Sequence, residues 1–226
     1  MIDNARDRRR VAACVWVVVL SAGSLSAQSR NTGQSGPRKL LPRGEEIALA
    51  RSAAPAQVSS DATVWVFTDS GYVIGESGSN GVACYVGRSW QESVEPHCFD
   101  TEGAATILPI EMRTVELYHR GRSPEQVERE IAVELASGRL RTPRRPALTW
   151  MQSGAQQLIR DDGKPVGRWQ PHLMIYYPYL TGAELGLGSV SDLKGAVLVD
   201  GGTPTSNLMI VTREFVQPEL PAAPAR

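Results

Sequence analysis

The stretch ATVWVFTDSGYVIGESGSNGVACYVGRSW, residues 62–90, decides the fold class. Segments 63–68, 72–76 and 82–86 are rich in β-branched and aromatic residues, which favour strands. The sequences DSG and SNG separate these segments, and Asn-Gly favours a hairpin because both turn residues must accept a positive φ. The stretch therefore predicts three sequential strands that pair as an antiparallel meander.

Helical patterns flank this region. Residues 45–55, EEIALARSAAP, indicate a short helix with two glutamates in its first turn. Residues 108–121, LPIEMRTVELYHRG, indicate a helix with Pro109 in its first turn and Gly121 at its end. In residues 123–138, Ser123 and Gln126 form a capping-box pattern ahead of an apolar stripe.

The last third of the chain returns to strands at 147–152, 172–177, 196–200 and 208–212. The order of strands, helices and strands predicts an α+β domain. We expect a mostly antiparallel sheet of about six or seven strands with two or three packed helices.

The N-terminus predicts export. Four arginines in residues 1–10 precede an apolar run of 15 residues, 11–25, and SLSAQ then offers small residues for cleavage after Ala27. The run is shorter than the roughly 20 residues of a spanning helix, so an uncleaved membrane anchor is the less favoured alternative. We expect a signal peptide (1–27), a flexible lead (28–44), one α+β domain (45–216) and a disordered Pro-Ala tail (217–226). The expected location is periplasmic or secreted.

Charge and cysteine content narrow the function classes. The 24 basic and 24 acidic residues balance, which argues against nucleic acid as the main partner. Cys84 and Cys98 remain after removal of the signal segment, and in an exported protein they predict one disulfide. The alternatives are two free thiols or half of a zinc site with His97. Zinc needs three or four ligands and no further cysteine or histidine motif supplies them, so we expect no metal and no cofactor.

The stretch QPHLMIYYPYL, residues 170–180, contains the candidate site residue His172. Alternation along a strand places His172, Met174 and Tyr176 on one face, with His172 at the strand entrance. Trp169 and Trp150 are its expected neighbours, so the candidate binding residues are His172, Trp169, Trp150 and Tyr176. A histidine that only anchors the strand end by a hydrogen bond is the alternative interpretation.

Two functions follow from these observations. The first is an exported module that binds an unknown small molecule or envelope component without chemistry. The second is a small extracytoplasmic hydrolase or transferase with His172 as general acid or base, oriented by Asp200 or Asp100. Because the sequence lacks the GxSxG, HExxH, P-loop and CxxCH signatures, we favour the first.

The segments EIALARSAAP, NGVACYVGRSW and PHLMIYYP resemble segments of a group of exported bacterial proteins without an assigned function. The resemblance covers most of the chain after residue 45. It implies export and a single architecture, and it implies no catalytic residue.

Overall fold

The computed structural model describes residues 35–160, 163–167, 169–186 and 196–220. The predicted signal peptide lies outside the described residues, as do residues 221–226 of the predicted tail. The described helices are α1 (Arg43–Arg51), α2 (Ala56–Ser59), α3 (Thr101–His119) and α4 (Pro124–Ala136). The described strands are β1 (Thr63–Thr68), β2 (Gly71–Glu76), β3 (Ala83–Gly87), β4 (Glu95–Phe99), β5 (Ala147–Met151), β6 (Leu158–Ile159), β7 (Pro165–Gly167), β8 (His172–Tyr176), β9 (Ala196–Val199) and β10 (Asn207–Val211).

Eight of these strands form one sheet in the order β2-β1-β3-β4-β5-β8-β10-β9, and β6 and β7 form a separate hairpin. The predicted α+β class is confirmed. The predicted six or seven strands and two or three helices are too few, because the described residues form an eight-stranded sheet and four helices. The sheet is also mixed, since β1 and β3 are parallel while the other neighbouring strands are antiparallel.

The predicted meander of the first three strands is wrong. Strands β1 and β2 form the expected hairpin, but β3 pairs with β1 instead of β2. The physical reason lies in the SNG segment, where the Asn80 side chain donates to the carbonyl of Val58 and accepts from the amide of Val82. The backbone at Gly78 runs very close to the residue before β1. A Cβ atom at position 78 would lie 2.2 Å from the carbonyl carbon of Ala62. These contacts return the chain to the start of β1, so β3 begins beside it.

Helix α3 begins at Thr101, eight residues before Pro109, so the predicted placement of Pro109 in the first turn is wrong. The Asp100 carboxylate caps the helix by accepting from the amide of Gly103 at 2.7 Å. A proline inside a helix costs about 3 kcal/mol because it removes one backbone hydrogen bond. The neighbouring Ile107 and Leu108 are fully buried, and we infer that this burial offsets the cost. In α4, the predicted capping box of Ser123 and Gln126 is confirmed.

The sheet is covered on both faces across its first strands. Helix α3 packs on one face over a core of aromatic, aliphatic and methionine side chains from β1, β3, β5 and β8. Helix α1 packs on the opposite face over a second core that includes Val64 and Val86. Glu46 of α1 and Arg88, which follows β3, form a fully buried ion pair with 2.9 Å between carboxylate oxygen and guanidinium nitrogen. The buried pair fixes α1 against the end of the sheet.

Strand β8 lies in the middle of the second half of the sheet, between β5 and β10. His172, Met174 and Tyr176 share the buried face on the α3 side, while Leu173 and Ile175 on the other face are half-buried.

No helix in the described part of the chain is long and apolar enough to cross a membrane.

The predicted disulfide between Cys84 and Cys98 is confirmed. The two cysteines are directly opposite each other in β3 and β4, on the α1 side of the sheet, and both are fully buried.

We expect the double substitution Cys84→Ala/Cys98→Ala to lower the free energy of unfolding by about 3 kcal/mol, because it removes the constraint of a loop of about 15 residues from the unfolded chain. Urea unfolding measures this difference. A reducing agent should destabilise the wild type by a similar amount and leave the double variant unchanged, and equal stability of the two proteins without reductant would contradict the prediction.

Candidate functional site

A single carboxylate connects α3 to three strands of the sheet. Glu111 accepts hydrogen bonds from the Nδ1 atom of His97 in β4 at 2.9 Å, from the hydroxyl of Tyr176 in β8 at 2.9 Å, and from the hydroxyl of Tyr85 in β3. We call these four residues the Glu111 cluster. It brings together two residues that the sequence analysis did not consider, Glu111 and Tyr85, and two that it named, Tyr176 and His97.

Local patterns place the four side chains on the same face. Tyr85 lies directly opposite His97 in the β3–β4 ladder, and directly opposite residues project from the same side of a sheet. Glu111 occupies the sheet-facing stripe of α3, three residues after Leu108 and four before Val115, both of which are buried. The sequence signal for this site is a carboxylate within the apolar stripe of a helix. Because the sequence analysis placed the start of the helix near Pro109, it did not recognise the full stripe or the position of Glu111 within it.

The charges in the cluster define which atoms donate. Burial by itself raises the pKa of the Glu111 carboxyl, but the attraction of His97 and the hydrogen bonds from His97, Tyr85 and Tyr176 outweigh it and hold this pKa below its ordinary value. Burial first, and then the charge of Glu111, raise the pKa values of Tyr85 and Tyr176 well above the ordinary value. At neutral pH Glu111 is therefore an ionised acceptor, and both tyrosines are protonated donors.

This assignment places a proton on Nδ1 of the His97 ring. An ionised carboxylate can only accept, so Nδ1 of His97 must carry the proton. In a neutral imidazole the other nitrogen, Nε2, is then an acceptor with a free lone pair. The Nε2 atom of His97 is buried and has no hydrogen-bond partner among the described residues. In the neutral ring, this buried acceptor without a partner costs the fold about 1–3 kcal/mol.

His172 shares the Nδ1 contact of His97 but not its buried, unpartnered Nε2 atom. It is the first residue of β8, only 3% exposed, and its Nδ1 atom lies 2.6 Å from the carbonyl oxygen of Gln170. A carbonyl can only accept, so Nδ1 donates and Nε2 again has the lone pair. Within the described residues, Nε2 of His172 makes no hydrogen bond. Burial first, and also the charge of His97, lower the pKa of His172, while the bond to Gln170 opposes them.

The structure brings only some of the predicted site residues together. The Trp169 ring lies edge-on to the ring of His172, with 6.1 Å between ring centroids. Trp150 is paired with Leu173 and packs against the core beneath α1, so it lies on the opposite face of the sheet from His172. Tyr176 shares the face of His172 but its hydroxyl is bound to Glu111.

Neither carboxylate predicted to orient His172 is placed to do so. Asp100 caps α3. Asp200 follows β9 in a turn at the Tyr176 end of β8, four residues along the strand from His172. The imidazole that has a carboxylate partner is instead His97, whose partner is Glu111.

Two other features of the described residues do not form an alternative site. An open groove of about 200 Å³ lies between α3 and α4, but its walls are ion-paired residues such as Arg113 and Glu134, and it contains none of the Glu111 cluster. Across residues 35–160, 163–167, 169–186 and 196–220, no three histidine, cysteine, aspartate or glutamate side chains are grouped so that they could hold a metal ion.

We expect the substitution Tyr176→Phe to lower the free energy of unfolding by about 1.5–3 kcal/mol, because it removes a hydrogen bond to an ionised carboxylate. The matched control is Tyr177→Phe, the same chemical change at the next residue, whose side chain is 53% exposed. Chemical denaturation of both variants measures the effect. If Tyr176→Phe is as stable as Tyr177→Phe, the Tyr176 hydroxyl does not support Glu111.

No protein-family model, curated protein or solved structure matches this chain, so the comparisons assign it neither a family nor a function.

Proposed function

We propose that this chain is an exported α+β domain that binds a small ligand between its two core histidines, His97 and His172. The ligand is a small molecule or a component of the cell envelope. The observation that carries the proposal is that both rings donate from Nδ1 to a fixed acceptor, and that Nε2 of His97 is buried without a hydrogen-bond partner among the described residues.

Export to the periplasm or medium is part of the proposal. The basic, apolar and small-residue order of residues 1–27 supports it, as does the resemblance to exported bacterial proteins. The Cys84–Cys98 disulfide also supports it, because such bonds persist in oxidising compartments.

The energetic cost of the buried, unpartnered Nε2 atom of His97 favours binding over a purely structural role. An apolar residue at position 97 would avoid placing an unpartnered nitrogen in the interior. A bound ligand that offers a donor, or an electron-pair acceptor, to both Nε2 atoms would recover that cost.

A second function, hydrolysis or group transfer, is favoured by one observation. The Glu111–His97 pair has the geometry of a carboxylate that orients a general base, with 2.9 Å between Oε2 and Nδ1. Among the described residues, no serine, threonine or cysteine side chain is hydrogen-bonded to either imidazole. Because such an enzyme needs a nucleophile or an activated water, binding remains the better-supported function.

Native mass spectrometry of protein recovered from the periplasm of a bacterial expression host tests the proposal. We expect a chain that begins at Gln28, contains the disulfide and retains one non-covalent ligand. His172→Gln should lose that ligand, because a glutamine amide that donates to the Gln170 carbonyl no longer places an acceptor at the position of Nε2. Trp150→Phe is the control, since it alters an aromatic residue on the opposite face of the sheet, and it should retain the ligand.

A wild-type chain without ligand, or a ligand retained by His172→Gln, would contradict the binding site. Hydrolysis of p-nitrophenyl acetate distinguishes the second function, hydrolysis or group transfer, from binding alone. Equal rates for wild type and His97→Gln are expected for a binding protein, and a rate lost specifically in His97→Gln would favour the enzyme.

A further inference from the structure

Three side chains with metal-binding atoms form one row across the α3 face of the sheet. Met151 of β5 lies directly opposite His172 of β8. In the β4–β5 ladder, Cys98 is opposite Trp150 and Phe99 is opposite Thr149. Continued by one residue beyond these pairs, the same antiparallel register would place His97 beside Met151. The row therefore runs from His97 through Met151 to His172.

The three side chains project from the same side and are all buried. Met151 packs in the core beneath α3, and directly opposite residues share a face. Neighbouring strands lie about 4.8 Å apart, so the two histidine backbones are separated by roughly 10 Å, with Met151 midway between them. Two imidazole rings on either side of a central thioether can coordinate one metal ion together with it.

Both histidines have the supporting contact that is typical of metal ligands. A metal-bound imidazole usually donates its second ring nitrogen to a carboxylate or a backbone carbonyl, which fixes the ring and its tautomer. His97 makes this bond to Glu111, and His172 makes it to the carbonyl of Gln170. The negative charge of Glu111 also offsets the positive charge of a cation held in the interior.

The donor atoms favour copper. Thioether sulfur selects copper(I), and imidazole is also a good copper ligand. A structural zinc site requires four nitrogen, thiolate or carboxylate ligands, and the described residues group no three such side chains. We propose that the Nε2 atoms of His97 and His172 and the Sδ atom of Met151 bind one copper(I) ion. This inference rests on the proposed binding function, because it uses the same two lone pairs.

Anaerobic titration of the disulfide-bonded mature protein with copper(I), in competition with a chromophoric chelator, tests the site. We expect one copper ion per wild-type chain, and loss of this binding in Met151→Leu. Leucine preserves the apolar volume, so this variant should fold as the wild type does. Met174→Leu is the matched control, because Met174 lies on the same face two residues from His172 and is also buried. It should bind copper as the wild type does.

Two other measurements sharpen the assignment. Glu111→Gln should weaken copper binding by about 10–100-fold, because it alters a supporting contact and not a ligand. X-ray absorption at the copper edge should show one sulfur and two nitrogen neighbours in the wild type.

Absence of copper(I) binding by the wild type would overturn the inference, as would copper binding that survives Met151→Leu. Binding of zinc(II) without any effect of Met151→Leu would also overturn it. If the protein binds no copper but retains another ligand that His172→Gln removes, only the copper assignment fails. If neither is bound, the proposed function fails as well.

Discussion

The ionised carboxylate of Glu111 is the interaction on which the site depends. It accepts three hydrogen bonds from β3, β4 and β8, and β8 follows the other two strands in the chain only after α3, α4 and β5. Burying a carboxylate is expensive unless its oxygens are hydrogen-bonded, so α3 has one favourable position over the sheet. That position also directs the Nδ1 proton of His97 toward Glu111 and leaves Nε2 free. Helix placement and histidine tautomer therefore have a common cause.

The opposite face of the sheet holds the strands in register. The Cys84–Cys98 bond joins β3 to β4 one residue away from the Tyr85–His97 pair, and the buried Glu46–Arg88 ion pair fixes α1 at the end of the same strands. A one-residue slip in register would turn His97 toward α1, because side chains alternate between faces. The disulfide on one face therefore preserves the histidine row on the other.

The sequence was sufficient where the structural signal is local. The segment 63–68, the capping box at Ser123 and the strand that begins at His172 follow from short patterns. The sequence was insufficient where the structure depends on a contact between residues that are far apart in the chain. The pairing of β3 with β1 depends on the contact of Asn80 with Val58, and the continuation of α3 through Pro109 depends on packing against the sheet. The role of Glu111 required both the helix start and the strand order, which is why only the structure revealed it.

The protonation state of the His97 ring tests the central claim most directly. Heteronuclear NMR of the imidazole nitrogens at about pH 8, where a free imidazole is neutral, distinguishes the two tautomers. The account predicts that the metal-free protein has its proton on Nδ1, bound to Glu111, and an unprotonated Nε2. A proton on Nε2, with Nδ1 as the acceptor, would show that Glu111 does not orient the ring and would remove the basis of the proposed site.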